Sequence, residues 1–156
     1  MARQGSAAGL VKIAFELPKD DPSPHGIETV WAEALGMERY RLDNSPFYMY
    51  GVSYGDVVLA KVAHGQLVFA GVAERGGHST YRIFLTKKFG EEDFKKHWKP
   101  FEKLGCAYEV ATKRLIVIDV PPEADIYKVY KLLEDGEAAG VWDFEEGHCG
   151  HPVKKA

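Results

Sequence analysis

The chain has 156 residues, 46% hydrophobic and 28% charged, the composition of a folded globular domain and not of a disordered, collagenous or coiled-coil chain. At this length one domain, or two small lobes forming one compact unit, is expected. With 20 Lys and Arg against 23 Asp and Glu the formal charge is −3, so no global field favours nucleic acid or an anionic membrane. Two cysteines, Cys106 and Cys149, are too few for a disulfide scaffold and point to a reducing compartment. No run of signal-peptide or membrane-spanning length is present, and the expected location is the cytoplasm.

Val11, Ile13, Phe15 and Leu17 alternate with other residues, the period-two pattern of a half-buried strand, which Pro18 ends. Residues 19–26, with Asp20-Asp21-Pro22-Ser23-Pro24, read as an exposed loop. Residues 27–35 fit a helical stripe or a strand, and Thr29-Val30-Trp31 tips the reading to strand. Gly36-Met37 then turns into a strand over 39–42. Residues 57–62 and 66–72 form a hairpin through His64-Gly65, and 79–85 alternate again. Short strands at this spacing predict a small bent antiparallel sheet or partial barrel over residues 1–79.

From residue 80 the pattern changes. Phe94, Trp98, Phe101 and Leu104 recur at helical spacing behind Glu91, Glu92 and Asp93, predicting a helix that Pro100 kinks or splits. Strands follow at 106–110 and 115–120, then a helix through Ile126, Val129, Tyr130 and Leu133, then a strand over 141–145. The order βαββαβ over residues 80–147 is that of a ferredoxin-like lobe with two helices on one face, so the fold class is α+β. The two lobes are expected to share the strand over 80–85. Residues 148–156 read as a flexible, dispensable tail, and His148-Cys149-Gly150-His151 is too tightly spaced for a structural zinc site, so no metal is expected.

Two polar motifs interrupt the strands. One is Asn44-Ser45-Pro46-Phe47-Tyr48 with Tyr50, Tyr54 and Asp56; the other is Gly77-His78-Ser79-Thr80 with Arg82. Arg82 shares a strand face with Thr80 and Phe84, so its charge demands a partner, for which Asp56 is the candidate. One reading is a pocket: His78 as acid or base, Ser79 and Thr80 as donors, Arg82 as anion clamp, tyrosines as walls. The other is an internal salt bridge with capped turns, His78 filling an exposed turn. No nucleophile elbow, phosphate loop or cofactor motif is present.

Charge is uneven along the chain. Residues 119–147 hold nine acids and two lysines, and Glu134, Asp135, Glu137, Asp143 and Glu145 form a candidate acidic surface for a basic protein partner. The lysines of residues 87–103 would carry an RNA-binding reading, which the net charge disfavours.

On Asn44-Ser45-Pro46-Phe47-Tyr48, Tyr54-Gly55-Asp56-Val57-Val58, Gly77-His78-Ser79-Thr80 with Arg82, and Gly105-Cys106-Ala107-Tyr108-Glu109, the chain resembles an uncharacterised bacterial family, domain of unknown function 4265. The resemblance covers about residues 11–146 and implies no particular activity. The C-terminal half also looks like the ferredoxin-like regulator that inhibits ribonuclease E, a likeness of topology. The expectation is a small protein-binding module of immunity or inhibitor type, with a small-molecule binder or enzyme at His78, Arg82 and Asp56 as the alternative.

Overall fold

The computed structural model describes residues 9–20 and 26–153, so most of the loop expected at 19–26, and residues 154–156 of the expected tail, lie outside the described residues. Nine strands and two helices follow in the order β1 (Val11–Glu16), β2 (Ile27–Gly36), β3 (Arg39–Leu42), β4 (Val57–Ala63), β5 (Gln66–Glu74), β6 (Ser79–Leu85), α1 (Glu91–Lys103), β7 (Ala107–Val110), β8 (Leu115–Val120), α2 (Ile126–Ala138) and β9 (Trp142–His148). The segment that suits either helix or strand is β2, whose Val30 and Ala32 face the core.

Strands β1 to β5 close a barrel in chain order. Successive neighbours are antiparallel, and because five strands is an odd number the closing pair, β1 with β5, must be parallel. Closure removes the free edges that an open bent sheet would expose. The β4–β5 turn is made by His64 at φ 52° and Gly65 at φ 77°, the left-handed pair of a two-residue hairpin. Ile13, Phe15, Val30, Ala32, Leu42, Val52, Val58 and Ala60 fill the interior.

The second layer is an antiparallel sheet in the order β7-β8-β6-β9, the ferredoxin-like arrangement expected of βαββαβ. Strand β6 belongs to this sheet alone and pairs with β8 and β9, so the expectation of a strand shared with the barrel is wrong. Tyr81, Ile83, Ile116 and Ile118 face the helices, whereas Thr80, Arg82, Glu109 and Val117 face the other way. Helix α1 is not split at Pro100. It runs on to Lys103, with Phe94, Trp98 and Phe101 buried and Trp98 stacked on Phe101 at 5.5 Å. Proline removes one hydrogen bond, and the aromatic face supplies enough burial to carry the helix across the gap. No helix among the described residues is long and apolar enough to cross a membrane.

Helix α2 carries a glycine in its interior, at a propensity cost of about 1 kcal/mol against alanine. The reason is Trp142, whose ring would lie 2.1 Å from a Cβ at Gly136 and whose indole N–H donates to the Leu133 carbonyl at 2.9 Å. Gly136→Ala should therefore destabilise the protein by about 3 kcal/mol through overpacking, where propensity alone predicts a gain. Urea unfolding of the variant checks this.

Candidate functional site

Residues 43–56 join β3 to β4 without helix or strand, and the ends of this loop are tied together. The Leu42 N–H donates to the Asp56 carbonyl at 2.9 Å and the Gly55 N–H to the Leu42 carbonyl at 3.0 Å. The loop lies between the barrel and the open face of the four-stranded sheet, so its backbone groups need partners other than water. Three buried carboxylates from separate parts of the chain provide acceptors. Glu28 receives the N–H groups of Phe47, Tyr48 and Met49, the latter two at 3.0 and 2.9 Å. Glu109 receives the Asn44 amide at 2.8 Å and the Ser45 N–H at 2.7 Å. Asp56 receives the N–H groups of Ser53 at 2.9 Å and Gly76 at 2.8 Å.

Two arginines serve the loop carbonyls. Arg82, 1% exposed, donates from Nη1 to the carbonyls of Pro46 at 3.2 Å and Met49 at 3.0 Å, and its Nε lies 3.4 Å from Glu145. Its guanidinium is stacked between the Tyr50 ring, 4.6 Å away, and Gly147, where a Cβ would sit 3.2 Å from Cζ. Arg75 donates to the Gly51 carbonyl at 2.7 Å and pairs with Asp56 at 3.1 Å. The expected Asp56–Arg82 bridge is therefore corrected: Asp56 belongs to Arg75, and the partner of Arg82 is Glu145. Tyr50 also donates to Glu145, and that bond, followed by burial, raises its phenol above the usual range.

The remaining polar residues divide between the two faces of the sheet. Thr80 meets Ser53 at 2.6 Å on the loop side, while Ser79 turns to the helix side and meets His151 Nδ1 at 2.6 Å. His78 is more enclosed than a free turn residue: its Nδ1 lies 2.7 Å from the buried Asp119 carboxylate, and Tyr54 packs edge-on against its ring at 5.2 Å. Tyr48 enters through its backbone N–H, its side chain half-buried. Five of the nine candidate residues thus belong to the docked loop itself and the other four to β6 and the residue before it, with Ser79 on the opposite face of the sheet from Thr80 and Arg82.

The dispensable-tail expectation fails for residues 148–151. β9 runs to His148; His151 is buried and reaches the Pro121 carbonyl through Nε2 at 2.8 Å, and the Gly150 N–H donates to Ser79 Oγ at 2.9 Å. Burial and the neighbouring Arg75 lower the pKa of His148. Among the described residues no group of three or more His, Cys, Asp or Glu is placed to hold a metal ion. Cys106 is a poor nucleophile at neutral pH because burial, with the charge of Asp119, pushes its thiol up to about 12.

The acidic candidates also separate. Glu134, Asp135 and Glu137 are exposed at the end of α2, whereas Asp143 and Glu145 lie on the sheet face turned away from the helices. Glu145 is held by Arg82 and Tyr50, so it does not belong to a free acidic surface. The sequence analysis missed Glu28, Arg75, Glu109 (quoted only for the resemblance), Asp119 and His151 as partners. A charged residue in an apolar strand, as at Glu28, Glu109 and Asp119, is the signal that marks such positions. Arg82→Met should cost about 3 kcal/mol, because two carbonyls and a carboxylate lose their donor while the site stays buried. Chemical denaturation reads this directly, and a loss under 1 kcal/mol would show the clamp to be dispensable.

Comparison with curated proteins gives no match. Among solved structures the chain is similar to a hypothetical protein from Neisseria gonorrhoeae, with a TM-score of 0.75 and 13% identity over 90% of this chain and 96% of that one, a likeness of fold. The profile of the domain of unknown function DUF4265 matches residues 28–144, from the Glu28 carboxylate through the loop, His78, Arg82 and Glu109 to β9, and the chain belongs to that family.

Proposed function

We propose that the protein is a cytoplasmic protein-binding module, of immunity or inhibitor type, that meets a basic partner through the acidic end of α2. The observation that carries the reading is a local rule broken at the surface. Helix α1 places Glu91, Glu92 and Asp93 in its first turn and Lys103 in its last, as the helix dipole favours. Helix α2 is capped favourably by Asp125 at its start, but its far end breaks the rule, with Glu134, Asp135 and Glu137 near the negative end and no basic residue in the last turn. Asp135 is paired with Lys131 at 2.7 Å, while Glu134 and Glu137 form no ion pair among the described residues. Charges kept at a helix end that disfavours them, with Lys131 as their neighbouring cation, fit a surface selected for something outside the chain. Such a field speeds encounter with a cationic partner and fixes its register.

The double substitution Glu134→Lys and Glu137→Lys separates binding from folding. Stability should rise by about 0.5 kcal/mol as the helix end gains favourable charge. Association with a partner captured on the immobilised protein at low salt should slow by about tenfold, with a shallower salt dependence. An association rate equal to wild type would overturn the proposal.

The His78–Asp119 contact supports a second reading, in which a small molecule meets the outer edge of a ring oriented by a buried carboxylate. It predicts a metabolite that raises the melting temperature of wild type and not of His78→Gln. A screen in which every shift survives the substitution removes this reading.

A further inference from the structure

The two helices leave a furrow along their outer seam. The end of α1, at Pro100 and Leu104, lies beside the start of α2, at Tyr127, Lys128, Lys131 and Leu132, around a volume of about 470 Å³. A second volume of about 220 Å³ continues the seam past Lys96 and His97 toward Ala139 and Trp142, sharing Pro100 and Leu132 with the first. The floor is apolar. Tyr127 remains 54% exposed at its edge, a large aromatic surface that the fold does not bury. Pro100 has no N–H, so it cannot donate to the Lys96 carbonyl one turn earlier.

Charge defines what would fit. Lys128 and Lys131 stand on one wall and Lys96 on the other, against the single acid, Asp135, that lines the second volume. Of these, Lys131 is paired with Asp135. The chain's own ends are excluded on the same ground, since Arg3, Lys154 and Lys155 carry the sign of the rim. We infer that the furrow is a docking site for an acidic amphipathic helix of a partner protein, about three turns long, with its apolar stripe on Leu104, Tyr127 and Leu132 and its carboxylates on the lysine rim. This goes beyond the acidic-end reading and stands without it, because its apolar contacts, Leu104, Tyr127 and Leu132, and Lys128, in no ion pair among the described residues, are separate residues from Glu134 and Glu137.

The test uses two labelled synthetic peptides with leucines at the i, i+3, i+4 and i+7 positions, one filled with glutamates and one with lysines. Fluorescence anisotropy with the full chain at low salt should show the glutamate peptide binding at least about tenfold more tightly than the lysine peptide. High salt should narrow that gap. Tyr127→Ser and Lys128→Glu alter exposed side chains, so circular dichroism should be unchanged while each weakens the glutamate peptide at least about fivefold. Equal binding of both peptides, no binding of the glutamate peptide, or binding indifferent to Tyr127→Ser would overturn the inference. Self-association of wild type that Tyr127→Ser abolishes would assign the furrow to a second copy. Wild-type binding to phosphatidylserine vesicles, lost in the same variant, would assign it to a lipid surface. Either result also overturns the proposal.

Discussion

The structure depends on one constraint, that much of the backbone of residues 43–56 is enclosed between barrel and sheet with only isolated bonds to a strand, such as those at Asp43 and Gly51. Burial of an unpaired N–H or carbonyl costs a kilocalorie or more per group, so a loop in this position persists only if side chains replace a sheet ladder. Glu28, Asp56 and Glu109 replace the acceptors, and Arg75 and Arg82 replace the donors. With Glu145 beside Arg82, carboxylates outnumber arginines in the joint, and the loop N–H groups that Glu28 and Glu109 accept stabilise the excess negative charge. Because these side chains come from β2, β6, β7, β9 and the loop itself, barrel and sheet are joined by polar contacts as much as by apolar ones.

That joint explains glycines that no turn requires. A Cβ at Gly147 would press on the Arg82 guanidinium, one at Gly76 would lie 2.7 Å from the Gly55 carbonyl, and one at Gly150 would lie 2.3 Å from the His78 carbonyl. In each case backbone approaches another group too closely for any side chain, which is how a chain of this size packs polar segments without voids. The motif of Asn44, Ser45, Pro46, Phe47 and Tyr48 is then accounted for by docking, with Pro46 giving its carbonyl to Arg82 and Asn44 its amide to Glu109. A motif dense in polar and aromatic residues need not mark a catalytic centre.

Alternation made most strands legible in the sequence, and helical spacing with acidic first-turn residues or a Pro-Pro start made both helices legible, because these elements are decided by neighbours two to four residues away. The partners within the joint were not legible. Asn44 and Glu109 are 65 residues apart, and Ser79 and His151 are 72 apart, so no local pattern links them. Asp56 was assigned to Arg82 because Arg82 stood out as a charge on a strand face and Asp56 as the acid of the neighbouring polar motif, while Arg75, in a stretch with no periodicity, gave no signal at all. Residues 148–151 looked like a tail for the same reason: a short docked segment held by side chains has no repeat to read.

Satisfaction within the joint also bears on where function can reside. Groups already bonded to one another must break those bonds before they can hold a ligand, and in a buried site that exchange is costly. Asp56, Glu28 and Glu109 are therefore poor recruits for binding, whereas Arg82 keeps a buried Nη2 with no hydrogen-bond partner. The helical layer carries no such internal demand. There α2 holds Lys128 in its first turn, beside the Asp125 cap, and Glu134 and Glu137 toward its last, so the acids at its far end oppose its dipole. Folding alone would select the reverse order, as α1 shows on the same layer. The buried carboxylates thus bond within the joint, and Glu134 and Glu137, which oppose the dipole of α2, face outward.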